Sequence, residues 1–141
     1  MENQSLFKEY KDVFLEVEIP KEKKEYEYAY SPFALQDAIG ERNVKKIWLE
    51  YNKLIFQGIE PEDLIHKIIG KVRDLVAISR GATALDLGIK DYPFNKSKRD
   101  LKNWKEKDLV NFYTKLVSIY HESRIGGETL ELALEKALLS L

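Results

Sequence analysis

Between Pro61 and Ile78 the apolar residues Leu64, Ile65, Ile68, Ile69, Val72, Leu75, Val76 and Ile78 recur at separations of three and four. That period belongs to an α-helix, and the apolar positions are too many for one narrow stripe. A helix apolar on most of its circumference must be covered on several sides, so this segment is expected at the centre of a bundle. Pro61 suits the first helical position, and Gly81 suits the stop.

The same punctuation recurs along residues 31–141. Ser31-Pro32 offers an N-cap and first-turn proline, with Gly40 as the expected stop. A second helix is expected from Asn43 to Gln57, ended by Gly58, with Val44, Ile47, Trp48, Tyr51, Leu54 and Ile55 inward. Thr83 to Ile89 reads as a turn and a half, and a basic helix follows from Asp91 through Trp104. Another spans Glu106 to Ser123, and Gly126-Gly127 breaks the chain before a final leucine-rich helix. The expected fold is all-α, a compact bundle of about five to six helices. Its core should hold Trp48, Ile68, Leu75, Leu116 and Leu134. In the final helix Leu130, Leu134, Ala137, Leu138 and Leu141 form one stripe, while Leu132, Ala133 and Leu139 extend the apolar surface beyond it. A helix apolar over so much of its surface is expected to be buried, either in its own domain or in a partner.

Residues 1–30 differ in character. Val13, Leu15, Val17 and Ile19 alternate with Phe14, Glu16 and Glu18, a strand pattern bounded by Pro20. A charged run to Tyr30 reads as a solvated linker. One strand makes no sheet, so the segment is expected to be poorly ordered or to pair with a second copy as a weak symmetric homodimer.

At 141 residues the chain accommodates one ordinary domain with a core. The formal net charge of -1 gives no overall pull toward nucleic acid. The absence of cysteine excludes disulfides and thiolate chemistry. No apolar run reaches membrane-spanning length, and the N-terminus lacks a secretion-signal pattern, so a cytoplasmic location is expected.

Catalytic patterns are scarce. Neither G-x-x-x-x-G-K-[ST] nor G-x-G-x-x-G occurs, and Gly126-Gly127 reads as a helix-breaking turn rather than an anion cradle. Glu62 and His66 lie four apart on one helix, with His121-Glu122 elsewhere, but no H-E-x-x-H pattern joins them. No serine sits in a nucleophile elbow. The expectation is no enzyme, no metal and no cofactor. From Lys90 to Lys107 seven basic residues stand against three acidic ones, interleaved with Tyr92, Phe94 and Trp104. Lys96, Lys98, Arg99 and Lys102 are the candidate phosphate contacts. An ordinary solvated face is the favoured reading, and a helical nucleic-acid-binding domain is the alternative.

The segment "FALQDAIGERNVKKIWLEYNKLIFQGIEPEDLIHKII" resembles the start of the C-terminal domain of the bacterial DNA polymerase III delta subunit. Phe33, Asp37, Ala38, Gly40, Gly58 and Pro61 fall at the family's places, and "GIKDYPFNKSK" and the closing "IYHESRIGGETLELALEKALLSL" resemble its later segments. The resemblance covers about residues 33–141. It implies a non-catalytic helical collar that holds clamp-loader subunits together in DNA replication, with gamma/tau-like and delta-prime-like subunits as partners. Residues 1–30 would then be the remnant of a preceding AAA+-like module and its linker. Leu132, Leu139 and Tyr120 become the candidate partner contacts, with any DNA contact indirect. The chain departs from the family in lacking most of the N-terminal portion, and in carrying Lys105 where relatives often place an N-cap serine.

Overall fold

A computed structural model describes residues 33–141. The strand expected at Val13–Ile19, the charged linker and the Ser31-Pro32 helix start lie outside the described residues, as does the expected homodimer contact. The described residues form a helical bundle without strands: α1 (Phe33–Glu41), α2 (Val44–Phe56), α3 (Pro61–Ser79), the single turn α4 (Ala84–Leu87), α5 (Asp91–Asp100), α6 (Glu106–Arg124) and α7 (Leu130–Leu139). A 3-10 turn, Leu101–Asn103, joins α5 to α6. The four-residue α4 brings the α-helices to seven, one more than expected.

Local chemistry sets most boundaries. Asn43 caps α2 by accepting from the Lys46 amide, and Thr129 caps α7 by accepting from the Leu132 amide. Thr83 and Asp86 form a reciprocal capping box around α4. Gly58 and Gly81 take positive φ just past α2 and α3, where L side chains are strained.

Helix α3 is central, packing on α1, α5, α6 and α7, while α2 bridges α1 and α7. Leu64, Ile65, Ile68, Val72 and Leu75 are fully buried in one core with Leu35, Ile47, Leu109, Leu116 and Leu134. No described helix is long and apolar enough to cross a membrane.

Three expectations are corrected by tertiary contacts. Trp48 is not core: it is 40% exposed, while its neighbour Ile47 is fully buried. The helix pointed Ile47, Tyr51 and Leu54 inward, and Trp48 lies about 100° round from Ile47. Gly40 does not stop α1; the helix continues to Glu41, and Arg42 takes the left-handed φ of 56°. Gly40 is instead a buried helical residue against which Asp100 packs. The basic helix ends at Asp100 rather than reaching Trp104. The chain tightens into the 3-10 turn and then extends, and the Trp104 indole donates to the Ile39 carbonyl at 3.1 Å. Asn103 likewise donates to the Gly40 carbonyl at 3.1 Å. Two terminal carbonyls of α1 thus find partners from another element.

Candidate partner face and side-chain clusters

Helix α7 divides its apolar residues between two environments. Leu134, Ala137 and Leu138 are buried, whereas Leu132 and Leu139 are 45% and 48% exposed. Leu132, Glu135 and Leu139 share the outer face of α7 by helical spacing. Trp48 of α2 reaches this face, its indole donating to Glu135 Oε2 at 3.2 Å. Beneath it the Tyr51 hydroxyl donates to the Glu131 carbonyl at 3.0 Å. Burial, with Glu131 and Glu135 nearby, pushes the Tyr51 phenol well above its usual range. Leu49 and Phe56, seven residues apart on α2, are also exposed. The α2–α7 side therefore presents Trp48, Leu132 and Leu139 as an exposed apolar face, the kind of surface that marks protein–protein contact.

Tyr120 is placed differently. Its hydroxyl donates to Glu62 Oε2 at 3.2 Å, its ring takes His66 edge-on at 5.1 Å, and Arg124 lies 5.4 Å from its centroid. Arg124 also bridges to Glu62 at 3.0 Å. These contacts tie α6 to the first turns of α3. They engage Glu62 and His66 within the fold, and the pocket that Glu62, Tyr120 and Arg124 line is also lined by Thr129, Leu130 and Glu131 at the start of α7. Among the described residues no group of three or more His, Asp or Glu converges as a metal site. The Gly127 amide donates to the Glu122 carbonyl at 2.8 Å, so it is spent on closing α6.

The four basic candidates separate as well. Lys96 turns toward α1, 3.8 Å from Asp37. Lys98, Arg99 and Lys102 point to solvent.

One cluster had no announcement in the sequence. Lys71 Nζ donates to Ser97 Oγ at 3.0 Å and pairs with Asp100 Oδ2 at 3.1 Å, and all three residues are buried. A serine beside a lysine raises the question of nucleophilic catalysis. Here Lys71 Nζ is shared between Ser97 Oγ and the Asp100 carboxylate, so the contact between serine and lysine is part of an ion pair joining α3 to α5. The trio fixes α5 on α3 and brings Asp100 onto Gly40. Its only sequence signal is a lysine within the apolar run of α3, which by itself reads as solvated. No protein-family model, curated protein or solved structure matches this chain.

Proposed function

We propose that this chain carries the non-catalytic oligomerisation module of a DNA polymerase III delta-like clamp-loader subunit, acting in the cytoplasm in DNA replication. Its partners on this reading are gamma/tau-like and delta-prime-like loader subunits. The observation that carries the proposal is the division of α7. The helix commits Leu134, Ala137 and Leu138 to its own core, yet leaves Leu132 and Leu139 half exposed beside Trp48. A collar needs an element of this kind, rigidly held on one side and apolar on the other. Exposed leucines at a subunit contact would be covered on assembly.

Co-expression with the other loader subunits, followed by affinity purification, tests this. The wild-type chain should co-purify, and the Leu132→Glu/Leu139→Glu variant should be lost from the complex while its helical circular dichroism stays unchanged. Failure of the wild-type chain to bring down any loader subunit would remove the collar assignment.

A further inference from the structure

A cleft of about 490 Å³ lies between α1, α3 and α5, away from the face assigned to partners. Phe33 and Tyr92 both line it and are each 70% exposed, so two aromatic faces stand open at its rim. Lys67, Arg73 and Lys96 also line it, as does the edge of the buried Lys71–Ser97 pair. Two lining acids offset part of this charge: Asp37 lies 3.8 Å from Lys96, and Asp74 lies 3.5 Å from Arg73. Among the described residues Lys67 has no ion-pair partner, so the cleft keeps a cationic excess.

Gly70 supplies an independent observation. It sits in the middle of α3, where glycine is less stable than alanine. A side chain there would meet nothing closer than the Arg73 guanidinium at 4.0 Å, so packing does not require the glycine. Its missing side chain leaves the cleft open between the aromatic rim and the cations.

We infer that this cleft binds a nucleotide unit, with the base against Tyr92 or Phe33 and the phosphate on Lys67, Arg73 and Lys96. Exposed aromatic faces accept any base by stacking, and flexible cations hold the adjoining phosphate without reading sequence. The same chemistry occurs in a free nucleotide and in single-stranded nucleic acid. This use of Lys96 differs from a basic helix face, because the other cations come from α3 and the exposed Lys98, Arg99 and Lys102 take no part.

The full chain is titrated in fluorescence anisotropy with labelled decathymidine and, separately, with a fluorescent ATP analogue. Binding of decathymidine alone assigns the site to single strands, and binding of the ATP analogue assigns it to free nucleotide; either supports the inference. Tyr92→Ala should weaken binding by roughly five- to a hundred-fold, the range for loss of one stacked base. Gly70→Leu should block the cleft, and Gly70→Ala should leave binding intact. Lys67→Glu should weaken binding and flatten its salt dependence. The inference is overturned if neither probe binds, or if affinity is unchanged in both Tyr92→Ala and Gly70→Leu. A polyglutamate peptide competing as well as decathymidine would also overturn it, since charge alone would then suffice. Leu132→Glu/Leu139→Glu should retain binding, which separates this test from that of the partner face.

Discussion

At the scale of single residues, two helical glycines have opposite reasons to be glycine. A side chain at Gly40 would run into the Asp100 carboxylate, which is itself held by Lys71. Gly40→Ala should therefore destabilise the bundle by about 1–3 kcal/mol, the usual cost of overpacking. Gly70 meets no such obstacle, and Gly70→Ala should stabilise by about 0.5–1 kcal/mol through helix propensity. Urea denaturation of the two variants checks both signs. Tyr51 gives a pH dependence. Its folded pKa is raised above the unfolded value near 10, so its contribution is complete below about pH 10 and is lost progressively as pH rises beyond that toward the higher folded value. Tyr51→Phe removes the bond to the Glu131 carbonyl and should cost about 0.5–1.5 kcal/mol near neutrality. Between about pH 9 and about pH 11 the variant should lose less stability than the wild type, the difference between the two isolating this phenol. Equal losses would place Tyr51 in a more solvated setting than the one described.

Elements differ in how much of them is written locally. Helix α7 was legible as apolar well beyond one stripe, and its spacing separated the stripe of Leu134, Ala137 and Leu138, which the fold buries, from Leu132 and Leu139, which it leaves half exposed. Leu134 is fully buried, and Leu134→Ala should cost about 2–5 kcal/mol. Leu132 is half exposed, and Leu132→Ala should stay within about 0.5 kcal/mol of wild type in the uncomplexed chain. Thermal denaturation of the pair measures the contrast, and similar losses would contradict the orientation of α7. On α2 the apolar pattern admitted both Ile47 and Trp48. Contact with α1 and α7 selected Ile47, and Trp48 kept a wet edge where its indole reaches Glu135. The end of α5 was misread for a related reason. Nothing in the local sequence around Asp100 announces that Trp104 must leave the helical path to meet α1.

For the molecule as a whole, the buried core of the described residues draws its members from Leu35 to Leu138. A chain lacking residues 1–30 should therefore unfold in one cooperative transition, and calorimetry beside mass measurement in solution checks this. Loss of cooperativity would show that the N-terminal residues belong to the core. A fall from dimer to monomer on deletion would support pairing through residues 1–30, whereas a persistent dimer would point to the α2–α7 face. The all-helical class, the central place of α3 and most boundaries were determined by the sequence, because helical period, caps and left-handed glycines act within a few residues. The outward turn of Trp48, the Lys71–Asp100 pair across 29 residues, the need for Gly40 and the opening at Gly70 were decided only by tertiary structure. Each depends on which surfaces of separate helices meet, and a period of 3.6 residues says which side of a helix is apolar without saying what will stand against it.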